Sequence, residues 1–337
     1  MLTPPRPARS LVFCLIASLA GVTAGCESDE VPLAAAQVSP RAIYEGGLIE
    51  AGLGASLLVQ RWHAAADSAL YDDEAAPLPT RQTPAFEAAA PDAWSARLAL
   101  RRGEVLRLEL VPALDADSAR VFADLFFVPP ADTLPITQTL WSDAAWTYAD
   151  STRTLRTDTL RYERRARRDE TVVLRVQPEL LASGTVAVHL ETSPSLGFPV
   201  ASVNERAIRS LWGAPRDGGA RRHEGIDIFA PRGTPVVASA SGRITRVQET
   251  PLGGRVVWLR TRYGSLYYAH LDSQRVRRGQ RVQPGDTLGT IGNTGNARTT
   301  PPHLHFGIYT GRGAVDPYPY VVGRRSGPRI TLAAAAD

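Results

Sequence analysis

Four of the six histidines fall within 83 residues of the C-terminal third, in three short patches: His223-Glu-Gly-Ile-Asp227, Tyr268-Ala-His270 and His303-Leu-His305-Phe306. Histidine is the commonest metal ligand and the commonest acid–base group near neutral pH. A carboxylate four residues after the first histidine completes a set able to hold a metal and still keep imidazoles for proton transfer. Zinc takes nitrogen and oxygen ligands tetrahedrally, and a catalytic zinc keeps three protein ligands and one open position. Two histidines and one aspartate meet that count and leave two imidazoles over, to take a proton from water and to stabilise an oxyanion.

The spacing says which backbone could bring these groups together. On a strand, side chains alternate faces, so His303 and His305 share one face while Leu304 and Phe306 turn to the other, toward a core. On a helix, residues two apart diverge by about 200°, and Pro301-Pro302 opposes a helix here. An extended 223–227 stretch puts His223, Gly225 and Asp227 on one side, with no side chain at Gly225 to crowd a metal. The same period puts Leu266, Tyr268 and His270 on one face. His223-Glu224 superficially matches the helical His-Glu-x-x-His motif, but position 227 is Asp. Glu224 faces away in an extended run, so it is not read as the general base. Each patch alone is unspecific; their co-occurrence in one glycine-rich segment is not.

The elements around the patches read as β. Residues 200–325 carry strand patterns at Thr234–Ser239, Gly242–Val247, Arg255–Arg260, Ser265–His270 and His303–Tyr309, separated by glycine turns. Residues 93–195 alternate apolar and polar at Ala96–Leu100, Val105–Val111, Val121–Val128, Thr159–Glu163, Thr171–Val176 and Thr185–Glu191. Six short strands in that length predict an antiparallel β-sandwich. His189 and His63 read as surface residues. Residues 44–71 predict one helix weakened by glycines, and residues 73–92, rich in Ala, Pro and Asp, a linker. The fold class is thus mainly β, with a short helical lead-in, a sandwich at 93–195, a site-bearing unit at 200–325 and a tail at 326–337.

The run His223-Glu-Gly-Ile-Asp-Ile-Phe-Ala-Pro-Arg-Gly-Thr-Pro-Val, then Tyr268-Ala-His270-Leu, Val282-Gln-Pro-Gly-Asp-Thr-Leu-Gly-Thr-Ile-Gly-Asn-Thr-Gly295 and His303-Leu-His-Phe resembles the lysostaphin/LytM-type zinc metallopeptidases. These are peptidoglycan endopeptidases with a duplicated hybrid motif β fold. The resemblance covers about residues 200–325. It implies that His223, Asp227 and His305 bind one Zn2+ and that His270 and His303 are catalytic. It implies a metalloendopeptidase that cuts peptide stems or cross-bridges of peptidoglycan. The segment Ala297–Pro302 and Gly307, where Glu or another polar residue is common, depart from the family pattern and bear on substrate preference. Relatives that have lost ligands activate other wall hydrolases instead, and such a non-catalytic regulator is the alternative reading. All five groups are present here.

The rest of the chain agrees with export. Arg6 and Arg9 precede a short apolar run, Leu11–Ala20, which ends in Val22-Thr-Ala-Gly-Cys26, like a lipoprotein signal with Thr23 where Leu is usual. Residues 1–26 therefore read as a leader, with Cys26 as the lipidated residue or, in the competing reading, a plain secretory signal cut nearby, and residues 27–92 as tether, helix and linker. The expected place is the cell envelope, on a membrane through that anchor. The only cysteines are Cys14 and Cys26, which leaves no disulfide after cleavage. All basic residues are arginine; residues 201–337 carry 20 against 9 acids and residues 1–200 carry 18 against 25, consistent with the net +4. The basic C-terminal part suits an anionic polymer such as the cell wall. The absence of lysine excludes a lipoyl- or biotinyl-type carrier. Export, and arginines without regular aromatic interleaving, argue against nucleic acid. The sandwich is expected to hold the peptidase away from the membrane, or to cover its cleft until an envelope protein partner arrives.

Overall fold

The computed structural model describes residues 38–324 except 73, 116–117, 131–135, 137 and 150–154. Cys26, the leader and the 326–337 tail lie outside the described residues. Among the described residues no helix is long and apolar enough to cross a membrane.

The first β unit is a two-sheet sandwich. One sheet runs Trp94–Leu100, Glu170–Pro178, Ser118–Val128, Thr139–Ala149, Leu155–Thr157; the other runs Thr80–Gln82, Gly184–Pro194, Glu104–Leu114, Leu160–Arg165. Strict alternation drives it. Leu106, Leu108 and Leu110 are buried against Leu98, Leu125, Leu174 and Val176, while Arg107 and Val111 face out. The six strands expected from the pattern all form. Residues 73–92, read as a linker, contribute Thr80–Gln82 and Ala85–Phe86, both paired to Gly184–Pro194. The strand Thr139–Ala149 had no legible pattern: its sequence lacks clean alternation, and its place at Ser118–Val128 comes from tertiary pairing.

The helical lead-in is two helices rather than one, Pro40–Glu50 and Leu57–Ala69. Gly52, at φ +74°, turns the chain between them, and Ser39 and Ser56 cap their N-termini through side-chain oxygens. They cover the outer face of the Ser118–Val128 sheet, where Trp62 is buried and donates to the Pro178 carbonyl at 2.9 Å. Two buried arginines meet there on one carboxylate. Arg41 Nε and Arg175 Nη2 each reach Asp124 Oδ2 at 2.9 Å, while Ser142 donates to Oδ1 at 2.6 Å. Arg41 also donates to Gln177 at 2.8 Å and lies over the rings of Trp62 and Phe122.

The second unit is a ten-stranded antiparallel sheet ordered Ile208–Ser210, Ile226–Phe229, His303–Thr310, Gly264–Gln274, Gly254–Thr261, Gly242–Thr250, Arg281–Val282, with shorter strands alongside. One face buries Ile226, Ile228, Leu266, Tyr268, Leu304, Phe306 and Ile308. The other face carries the polar patches. The two units dock through Glu104, 1% exposed, which accepts from Arg324 at 2.9 and 2.7 Å and from Arg101 at 2.8 Å. The Tyr320 ring packs over Gly103, and Arg165 sits over Tyr263.

Candidate metal centre and cleft

His223 precedes the strand Ile226–Phe229, Asp227 lies on it, and His305 lies on the neighbouring strand directly opposite Asp227. His223 Nε2, Asp227 Oδ1 and His305 Nδ1 form a triangle, each pair 3.0 Å apart. Donor atoms about 3 Å apart can all lie about 2.0–2.2 Å from one point, the reach of zinc to nitrogen and oxygen. The protonation pattern fits a cation as well. His223 Nδ1 points at the Leu211 carbonyl at 2.8 Å, so it carries the hydrogen and leaves Nε2 bare. A bare nitrogen facing a carboxylate and a second imidazole is an unfavourable set of acceptors unless a metal or a proton lies among them. Burial alone would raise the Asp227 pKa, but hydrogen bonds and charge interactions with His223 and His305 outweigh it and hold the carboxyl far below its usual range. This triangle is a His-Asp-His group able to hold a metal among the described residues.

Gly225 makes the triangle possible. A Cβ there would come within 2.5 Å of the Phe306 carbonyl and 2.7 Å of the His305 ring. Its missing side chain makes room for the His305 ring and for close strand approach, rather than only keeping a metal uncrowded.

The remaining two imidazoles line the same cleft. His303 Nδ1 lies 2.9 Å from the Pro301 carbonyl, and His270 Nδ1 lies 2.9 Å from the Thr294 carbonyl. Both contacts fix the hydrogen on Nδ1 and leave Nε2 as the basic atom. The two rings are 5.0 Å apart, and His303 stacks on Phe229. Burial, with His303 and His305 as neighbours, lowers the His270 pKa to about 4, so it is a neutral base at neutral pH.

His270 does not share a face with Tyr268, as simple alternation requires. Tyr268 is fully buried in the core, its hydroxyl oxygen accepting from the Ser239 amide at 3.0 Å, while Tyr267, Ala269 and His270 line the cleft. A β-bulge between the strands Gly254–Thr261 and Gly264–Gln274 breaks the period, and His270 sits at φ +61°, in the left-handed region. Bulges of this kind re-aim side chains next to sites.

The cleft, of about 890 Å³, is lined wholly by residues between 210 and 309 among the described residues. Among the described residues, none of the sandwich is part of that lining. Its walls include groups that no motif announced. Trp258, Tyr267 and Tyr309 form an aromatic corner with ring centroids 4.5–6.1 Å apart. Glu224 is turned to Tyr309, whose hydroxyl donates to it at 3.2 Å, and stands outside the ligand triangle. The partner strand of Tyr267 has Gly307 at that register, and a side chain there would press on Tyr309 and the Glu224 carbonyl. Arg216, on the rim, binds Asp227 Oδ2 at 2.7 Å.

Residues 221–317 match the model of Peptidase family M23, so this β unit carries a Peptidase M23 domain. The L-Ala--D-Glu endopeptidase of Bacillus subtilis is 36% identical over 137 residues, covering 37% of this chain and 42% of that protein. The peptidoglycan DD-endopeptidase ShyC of Vibrio cholerae is 38% identical over 95 residues, covering 27% of this chain and 21% of that protein. The chain thus spans less than half the length of either relative. Among solved structures, the catalytic domain of lysostaphin from Staphylococcus simulans is 30% identical, with a TM-score of 0.29, over 37% of this chain and 90% of that one.

Proposed function

We propose that the protein is a zinc-dependent metalloendopeptidase that hydrolyses peptide stems or cross-bridges of peptidoglycan in the cell envelope. The observation that carries this reading is the 3.0 Å triangle of His223, Asp227 and His305 with two further imidazoles beside it. The endopeptidase names of the two relatives support the bond type and the wall polymer. One Zn2+ per chain, held by His223, Asp227 and His305, would polarise the scissile carbonyl and acidify a water.

The chain's own residues supply the rest. His270 and His303 present bare Nε2 atoms to the cleft. One takes a proton as water adds to the peptide carbonyl. Either imidazole, once protonated, can donate to the oxyanion or hand its proton to the leaving amine. The Thr294 and Pro301 carbonyls prevent ring rotation and fix which nitrogen works. The full set of five groups favours catalysis over a purely regulatory role. Lipidation of Cys26 would place the cleft at a membrane surface facing the wall, with the sandwich free to meet an envelope protein.

Incubating the mature chain with defined peptidoglycan, followed by mass spectrometry of the released fragments, tests the reading. Peptide-bond scission that a chelator abolishes and zinc restores is expected. Intact polymer with zinc-loaded protein would refute it.

A further inference from the structure

Two ligands of the triangle, His223 and Asp227, have outer partners that lie N-terminal to the residues that match the family model. The strand Ile208–Ser210 pairs with Ile226–Phe229 so that Ser210 stands opposite Asp227. Leu211, next in the chain, supplies the carbonyl that fixes His223. The short strand Pro215–Arg216, paired to Arg221–Arg222, then brings Arg216 to the cleft rim. Arg216 Nη2 donates at 2.7 Å to Asp227 Oδ2 and at 2.7 Å to Ser210 Oγ. One terminal nitrogen has two hydrogens, and the two acceptors use both. Ser210 Oγ is itself 3.4 Å from His223 Nδ1.

We infer that Arg216 is a positioning residue that makes Asp227 a one-oxygen ligand. This rests on the reading of His223, Asp227 and His305 as a metal site. Asp227 turns Oδ1 to the two imidazoles and Oδ2 to the guanidinium. A carboxylate free at both oxygens can chelate, which fills the position a catalytic zinc keeps open for water. With Oδ2 engaged by a charge-assisted bond between groups that are mostly shielded from solvent, chelation requires breaking that bond. Arginine suits the task better than lysine because the two N–H bonds of its planar terminal nitrogen diverge at a fixed angle, whereas an ammonium rotates freely.

The test uses the mature chain and its Arg216→Gln and Arg216→Lys variants. Each is loaded with Co2+ for visible absorption, and each is titrated with Zn2+ against a chelating indicator. The wild type is expected to give the intense bands of a four-coordinate ion. Arg216→Gln is expected to give weaker bands of higher coordination and a zinc Kd raised roughly tenfold, the usual scale for losing an outer partner of a ligand. Arg216→Lys is expected to fall between the two. A wild-type spectrum and Kd in Arg216→Gln overturns the inference. If Arg216→Gln does not fold, Arg216→Lys decides alone: a spectrum and Kd equal to wild type overturns it. A wild-type chain that takes up neither metal overturns the metal reading itself, and the inference with it.

Discussion

At the scale of single residues, the five convergent groups divide into two kinds by which atom each leaves bare. The three ligand atoms face one another, whereas His270 and His303 face open space in the cleft. Their loss should therefore have different signatures. Asp227→Ala is expected to lose zinc and activity together. His303→Ala is expected to keep most zinc while turnover falls by about 10²–10⁴, the range for a missing general acid–base group. Metal analysis and kinetics on both variants check this, and a fully active His303→Ala would remove that residue from the chemistry. His270 adds a pH effect. Its folded pKa of about 4 is below the ordinary histidine value, through burial first and its histidine neighbours second. Between about pH 6.5 and that folded value, the unfolded chain binds a proton that the folded chain does not. Metal-free protein should thus lose stability as pH falls through this window, and His270→Gln should flatten the drop. Thermal melts from pH 7 to 4 measure it; equal slopes in both proteins would exclude the effect.

At the scale of elements, the strand period correctly put His303 and His305 on one face and Leu304 and Phe306 on the other. It failed at His270, because a bulge is a tertiary accommodation that local alternation does not encode. The groups that orient the imidazoles were illegible for a related reason. Thr294, Pro301 and Leu211 act through main-chain carbonyls, so their side chains carry no signal. Arg216 was missed because its role depends on how the irregular stretch 211–222 folds back onto Asp227, and the Trp258–Tyr267–Tyr309 corner because it joins strands distant in sequence. Gly225 was legible as a gap, though what fills that gap is the His305 ring and the backbone beside it. Gly225→Ala should push the His305 strand away, lowering stability by about 1–3 kcal/mol. It should weaken zinc binding as well, although residue 225 is not a ligand. Chemical denaturation and zinc titration of this variant would show both effects; retention of wild-type zinc affinity would argue against the packing account.

At the scale of the whole molecule, two β units were legible from their different punctuation, glycine turns in one and clean alternation in the other. The division of the lead-in into two helices, and the recruitment of residues 80–86 into the sandwich, were not, since both depend on pairing and packing partners. The junction holds a buried carboxylate, Glu104, between two arginines, on the side of Tyr320 rather than at the cleft lining. Glu104→Ala should cost about 1–3 kcal/mol by stranding Arg324 and Arg101 without their shared acceptor. Cleavage of a small soluble wall fragment should stay within about twofold of wild type, because the cleft walls are untouched. A calorimetric scan and a fragment assay separate the two quantities, and a large gain in rate would support a covering sandwich.

The paired arginines on Asp124 have a mechanical meaning. Any tension entering the chain at Ser39 reaches Arg41 two residues later, and Arg41 is fastened to strands Ser118–Val128 and Glu170–Pro178 through Asp124 and Gln177. The load then passes into the middle of a sheet whose strands are zipped along their whole lengths, instead of unravelling the first helix from its end. Arg175, bonded to both Asp124 and the Ala66 carbonyl, ties the second helix to the same point. Tension applied at Ser39 would thus be borne by the sandwich before the first helix could unwind from its start.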